Sequence, residues 1–93
     1  MASGVSVEST AIQGGMSCCQ TSITELGSAS RNLQQSYQQA GSGGWRDAKY
    51  AALGGIVSDC CSALTKPISE LEECMRKLSD LLKAVQQYEE VNL

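Results

Sequence analysis

Histidine and phenylalanine are both absent from this 93-residue chain, and the two absences limit its chemistry and its core. Without histidine, and without a glycine-rich phosphate loop before a helix, catalysis has little support. The acidic side chains also fall largely off the apolar seams, where helical carboxylates are usually solvated. We therefore expect a protein that is not an enzyme and that needs no cofactor. Without phenylalanine, the core must be built from Leu, Ile, Val, Ala, Met and Cys, a composition that favours helices.

Positive charge and long apolar runs are also scarce. Seven Lys and Arg stand against 10 Asp and Glu, and a net charge of −3 argues against a nucleic-acid partner, because such binders normally carry a basic face. The longest apolar stretch, YAALGGIV, falls far short of the roughly 20 residues that span a bilayer. No basic amphipathic face suited to disrupting a membrane is present. The first residues lack the basic and apolar regions of a secretory signal peptide, so we expect a soluble chain without a cleaved signal.

Apolar residues in the first half recur every three or four positions, which is the heptad pattern of a helix that packs along one seam. We predict a helix from about residue 7 to residue 40. Gly14 and Gly15 weaken it by about 1 kcal/mol each relative to alanine. Its seam contains Val5, Ile12, Met16, Cys19, Ile23, Leu26, Leu33, Tyr37 and Ala40, with Ser9 and Ser30 filling the two gaps.

The second half has the same rhythm and predicts a helix from about residue 45 to residue 90. Pro67 lies inside it and must kink the helix or open a new one. Because the apolar pattern keeps its register across Pro67, we favour a single kinked helix. The predicted seam is Tyr50, Leu53, Val57, Cys60, Leu64, Pro67, Leu71, Cys74, Leu78, Leu81, Val85 and Tyr88, flanked by a row of Ile56, Ala63, Ile68, Met75 and Leu82.

The glycine-rich stretch GSGG, residues 41–44, predicts a turn between the two helices. Residues 1–93 are then a single all-α domain, an antiparallel hairpin in which partner positions sum to about 86. A lone hairpin of this size leaves apolar surface in water, so we expect two hairpins to pair into a four-helix bundle. The residues expected to hold that bundle are Ile12, Ile23, Leu26, Leu33, Leu53, Leu64, Leu71, Leu78 and Val85.

Five cysteines are many for this length. The adjacent pairs lack the C-x-x-C spacing of closed zinc sites, so we expect no metal. In the predicted register Cys19 and Cys60 lie roughly 10 Å apart along the helix axis, too far for an intrachain disulfide, while a bridge between chains stays open. We interpret Cys19, Cys60 and Cys74, all on the predicted seams, as small buried apolar residues.

The tryptophan after the turn carries a family resemblance. Trp45 is followed by Ala48 and Tyr50 in a chain of 93 residues with two predicted helices. In these features the whole chain resembles the WXG-motif proteins, relatives of the early secreted antigens exported by type VII secretion systems of Gram-positive bacteria. The resemblance implies homodimers or heterodimers, in some cases with the N-terminal helical domain of a larger toxin. It also implies export from the cytoplasm, with Trp45 contributing to an export surface together with a tyrosine motif, Y-x-x-x-[DE], of the partner.

Two positions depart from the family pattern. Asp47 stands where the turn motif has glycine, and Asn92 stands where the export-signal-like motif that begins at Tyr88 has an acid. These departures favour a companion or targeting factor of an exported toxin over a protein exported alone. Two alternatives stay open: Trp45 as a core residue that closes the hairpin, and the whole chain as a cytosolic coiled-coil scaffold or adaptor unrelated to secretion.

Overall fold

Two long α-helices make up the computed structural model, which describes residues 2–91, and side chains from Val7 to Tyr88. Helix α1 spans Ala2–Ser42 and helix α2 spans Ala48–Val91. No strand occurs among the described residues. The predicted all-α helical hairpin is therefore confirmed. Pairing of hairpins into a four-helix bundle stays a prediction.

The helix bounds differ from the predicted ones in three places. Helix α1 begins at Ala2 rather than near residue 7, and it continues through Gly41 and Ser42. The connection consequently occupies residues 43–47 rather than 41–44, and α2 begins at Ala48 rather than at Trp45. Helix α2 also runs through Pro67 without interruption, so no second helix opens there.

The hairpin consists of two compact units. The tip unit is formed by Thr24–Ser69 and includes the turn. The terminal unit is formed by the residues of α1 up to Ile23 and the residues of α2 from Glu70 onwards.

Three contacts define how α1 and α2 pair within the tip unit. The Cys61 thiol donates a weak hydrogen bond to the carbonyl oxygen of Ser30, with sulfur and oxygen 3.6 Å apart. The side chain of Tyr37 lies against Gly54, and the side chain of Tyr50 lies against Gly41. In all three pairs the residue numbers sum to 91. The predicted sum of 86 is wrong because the connection lies further along the chain than the glycines alone suggest.

The apolar seam of the tip unit is thinly covered. Val57 is the only buried hydrophobic side chain among the described residues, with 8% of its surface exposed. The predicted bundle residues Leu26, Leu53 and Leu64 are half-buried, whereas Leu33 is exposed.

In the terminal unit, the predicted bundle residues Ile12, Ile23, Leu71, Leu78 and Val85 are all half-buried. The end of the Leu78 side chain lies 3.4 Å from the place where a Cβ on Gly15 would stand. A groove between the helices of this unit is lined by Gln13, Met16, Ser17, Gln20, Met75 and Leu82.

The seam of α2 is rotated by one row from the predicted seam. Cys60, Cys74, Leu81 and Tyr88 were expected on it but are exposed, whereas the neighbouring Cys61, Ile68, Met75 and Leu82 are half-buried. Both rows have three- and four-residue spacing, so a stripe three residues wide does not by itself select between them. The expectation that Cys60 and Cys74 are buried is therefore wrong for the single chain, and Cys19 is only half-buried.

The row left uncovered on α2 is called the outer stripe below. Its members share two heptad positions, and the same positions hold the charged residues Glu70 and Lys77 between and among them. In the tip unit it contains Ile56, Cys60 and Ala63, and in the terminal unit it contains Cys74, Leu81, Ala84 and Tyr88.

Candidate functional site: the hairpin tip

The end of α1 is closed by the backbone of the glycine-rich turn. Gly44 has a φ of 102°, a left-handed conformation that favours glycine. The amide of Trp45 donates to the carbonyl of Ala40 at 3.2 Å, and the amide of Gly44 donates to the carbonyl of Gly41 at 3.1 Å. These two bonds form a Schellman motif, which satisfies carbonyls at the end of α1. The motif places Trp45 directly after the last turn of α1.

Asp47 is the N-cap of α2. Its Oδ1 accepts a hydrogen bond of 3.0 Å from the backbone amide of Tyr50, the third residue of the helix. The same oxygen accepts a hydrogen bond of 2.7 Å from the indole Nε1 of Trp45. An aspartate at this position therefore has a physical role that a glycine could not fill, because glycine has no side-chain acceptor.

Three aromatic side chains meet at the tip. The rings of Tyr37 and Tyr50 stack, with centroids 4.3 Å apart and planes 9° from parallel. The Trp45 ring lies against Tyr50 at 5.7 Å with a tilt of 49°. Trp45 nevertheless keeps 41% of its surface exposed. One side of the indole contacts the tip, and the other side is an exposed, fixed apolar surface. The interpretation of Trp45 as a core residue therefore accounts for the packed side of the ring but not for the exposed side.

The Tyr50 hydroxyl ties the two helices together. It donates a hydrogen bond of 3.0 Å to the backbone carbonyl of Tyr37. Desolvation by burial is the largest cause that raises the pKa of Tyr50 above its usual value, and Tyr37 raises it further through hydrogen bonding and charge. The positive charge of Arg46 acts in the opposite direction. The hydroxyl is therefore held in its neutral, donating form.

Two glycines make this arrangement possible. A Cβ on Gly54 would collide with the hydroxyl oxygen of Tyr37 and lie 2.7 Å from its Cζ. A Cβ on Gly41 would collide with the hydroxyl oxygen of Tyr50 and lie 2.9 Å from its Cζ. A side chain at either glycine position would therefore require the tyrosine that lies across it to shift.

The predicted site residues are distributed over both units. Trp45 and Asp47 lie together in the tip unit, joined by their hydrogen bond. Tyr88 belongs to the terminal unit and is exposed over 65% of its surface. Asn92, the other predicted residue of the export-signal-like motif, lies outside the described residues.

The contacts of the two tyrosines with Gly41 and Gly54 do not follow from the apolar pattern of the sequence. The predicted sum of 86 places other residues opposite one another, and helix propensity alone marks a mid-helix glycine only as a weak point. The available signal was the occurrence of two tyrosines and two glycines at seam spacing near the turn.

Within residues 7–88 no group of three or more His, Cys, Asp or Glu side chains could hold a metal ion. Neither helix, over its described length, is apolar enough to cross a bilayer. An open groove beside the aromatic cluster is lined by Tyr37, Gln38, Gly41, Ser42, Arg46, Asp47, Tyr50 and Ala51. The tip therefore offers an aromatic surface with the cationic Arg46 and the anionic Asp47 beside it.

No protein-family model, curated protein or solved structure matches this chain.

Proposed function

We propose that this chain is a small, non-enzymatic subunit of a type VII secretion system in a Gram-positive bacterium. It acts by binding: its hairpin pairs with a second helical hairpin, either another copy of itself, a related chain, or the N-terminal helical domain of an exported toxin. It leaves the cytoplasm through the type VII system without a cleaved signal peptide, either as its own dimer or as companion of the toxin. The observation that carries the binding proposal is the uncovered outer stripe of α2.

The outer stripe is apolar and exposed in both units. Ile56 exposes 60% of its surface in the tip unit, and Leu81 exposes 51% in the terminal unit. Cys60, Ala63, Cys74 and Ala84 are exposed at the same heptad positions. Exposed apolar side chains of this kind favour an interface in each unit, because each buried methylene contributes about 0.8 kcal/mol that an isolated hairpin forgoes, although Glu70 and Lys77 interrupt the row.

The two helices differ in how many large hydrophobic side chains they expose. Exposed large hydrophobic side chains on α1 are limited to Val7 and Leu33 among the described residues. Most other exposed residues of α1 are Gln, Ser, Thr and Asn. We therefore infer that α2 supplies most of the surface that contacts the partner.

The tip supports the secretion proposal through Trp45. Its hydrogen bond to Asp47 and its contact with Tyr50 fix the indole while leaving a large part of it exposed. The family resemblance assigns an export surface to this residue. A fixed and accessible aromatic side chain suits such recognition, because little side-chain entropy is lost on binding.

The first test is the solution mass of the purified protein in reductant, measured by light scattering over a range of micromolar concentrations. Self-pairing predicts a mass near twice 9.8 kDa. Leu81→Gln in the outer stripe should shift the equilibrium to monomer. Lys83→Gln introduces the same side chain two residues away, at an exposed position outside the stripe, and should leave the mass unchanged.

Cysteine alkylation tests which surface is covered. Two variants keep a single thiol, either Cys74 in the outer stripe or Cys18 on α1, both of which are exposed in the single chain. If a second copy covers the stripe, the alkylation rate of Cys74 falls as the dimer forms while that of Cys18 changes less. A helical monomer whose Cys74 reacts at one rate at all concentrations would contradict self-pairing, and a different helical partner would then be sought.

Export is tested in the bacterium that encodes the protein and in the same strain with its type VII system deleted. The proposal predicts release into the medium from the first strain alone, with a cytosolic enzyme as lysis control. Trp45→Ala and Tyr88→Ala should abolish release, whereas Gln87→Ala should not. Retention inside both strains with intact oligomerisation would favour the cytosolic scaffold instead.

A further inference from the structure

Two pairs of residues in the tip unit have a geometry that the apolar seam does not require. Tyr37 lies across Gly54 and Tyr50 lies across Gly41. We propose that these tyrosine–glycine contacts are a register-selecting device, which allows only one alignment of α1 with α2 at the tip. The proposal is independent of secretion and of any partner.

A heptad seam by itself tolerates sliding. Because the apolar rows of both helices repeat every seven residues, moving one helix by seven residues again places apolar side chains opposite apolar side chains. Coiled coils resolve such ambiguity with a few exceptional seam residues that fit only one alignment. The closed turn around Gly44 determines where α1 ends, and the tyrosine–glycine contacts act on the alignment in addition to it.

The tyrosine–glycine contacts fit one alignment only. A seven-residue slide in one direction places Cys61, rather than Gly54, opposite Tyr37. A slide in the other direction places Gln34, rather than Gly41, opposite Tyr50. Both replacements carry a Cβ, and a Cβ at the place of either glycine would require the ring to leave its observed position. The slid alignments therefore lose the contacts or force the tyrosines out of the seam.

The native alignment also provides bonds that depend on both tyrosines. In this alignment the two rings stack at 4.3 Å while each lies over a glycine. The hydrogen bond from the Tyr50 hydroxyl to the Tyr37 carbonyl is made in the same placement. Selection thus has an attractive part, the stack and the hydrogen bond, and a repulsive part, the excluded Cβ.

The chain offers a matched pair of substitutions for the test. Gly54→Ala places a methyl group where the Tyr37 ring lies. Gly55→Ala, at the next position in the same helix, places its methyl group in open space. Helix propensity changes equally in both variants, so a difference between them reports the contact with Tyr37.

The alignment itself is measured by disulfide trapping. Ser30→Cys is placed opposite Cys61, whose sulfur lies 3.6 Å from the Ser30 carbonyl oxygen, and the other four cysteines are changed to serine. Mild oxidation of the dilute full-length chain should form the Cys61 crosslink within one molecule. We expect Gly55→Ala to crosslink at the rate of the parent and Gly54→Ala to crosslink about tenfold more slowly, as overpacking penalties predict.

A second background tests whether the effect of Gly54→Ala depends on the Tyr37 ring. In Tyr37→Leu the seam remains apolar but no ring crosses Gly54. There, Gly54→Ala and Gly55→Ala should have equal effects on the unfolding midpoint and on the crosslinking rate, because the coupling between the positions has been removed. Equal effects of the two alanines in the presence of Tyr37 would overturn the proposal. So would an unchanged difference between them in the Tyr37→Leu background.

Discussion

The indole nitrogen of Trp45 donates its hydrogen bond to the same carboxylate oxygen of Asp47 that caps α2, at a distance of 2.7 Å. Orientation of the tryptophan and the start of the second helix therefore depend on one side chain. The position where the WXG pattern has glycine is in this chain a structural centre of the turn.

Asp47→Ala should lower the free energy of unfolding by about 1 kcal/mol, because the amide of Tyr50 loses its capping acceptor. It should also change the fluorescence of Trp45, the only tryptophan, since the indole loses its acceptor. Chemical denaturation followed by tryptophan emission and by circular dichroism measures both effects. Asp47→Asn, which keeps a capping oxygen, should retain most of the stability. Equal stability of the alanine variant and the parent would contradict the capping role.

Stability should fall at alkaline pH through Tyr50. A pKa raised in the folded state means that the neutral hydroxyl is favoured by folding. Its contribution to stability is therefore complete below the ordinary tyrosine pKa of about 10, and it is lost as the pH rises through the higher folded value. Tyr50→Phe removes this dependence along with the hydrogen bond to Tyr37. The difference in unfolding midpoint between parent and variant should be large at pH 8 and smaller at pH 11, and a constant difference would contradict the assignment.

The half-buried residues of α1 follow the predicted seam more closely than those of α2 do, and the reason is physical. On α1 the positions beside the seam are mostly polar, so only one row of residues can face a partner helix, and the half-buried Ile12, Met16, Cys19 and Ile23 follow it. On α2 apolar residues occupy three rows per heptad. Two adjacent rows are about equally apolar, so the sequence does not select which of them packs against α1. The row that contains Met75 and Leu82 faces α1, and the row that contains Cys74 and Leu81 is exposed.

The alignment of the two helices could not be predicted from local pattern. It depends on where the turn is closed, and Gly41 remains helical because the Schellman motif forms around Gly44. It also depends on contacts between residues distant in the chain, such as Tyr37 with Gly54. Trp45 and Asp47 were identified as the features of the turn, but the hydrogen bond between them follows from that closure.

Gly14→Ala should stabilise the protein. A Cβ at Gly14 would have nothing within 4 Å, so the substitution removes the conformational cost of glycine without a clash. The expected gain in the free energy of unfolding is up to about 1 kcal/mol. A denaturation midpoint below that of the parent would show that another surface approaches this part of α1. Measuring the variant over a range of protein concentrations would distinguish contact with a second chain, whose effect depends on concentration, from contact within one chain.

Pro67 should lower the free energy of unfolding of the protein. It lies inside α2, where it cannot donate a backbone hydrogen bond and its ring crowds the preceding turn. Pro67→Ala should therefore raise the free energy of unfolding, by up to about 3 kcal/mol if the surrounding structure does not already relieve the strain. Thr65→Ala is the informative control: in a continuous helix it has little effect, whereas in a helix that restarted at the proline it would remove a cap and cost about 1 kcal/mol. Loss of stability in both variants would contradict the continuous helix, because Thr65 would then cap a new helix with the proline in its first turn.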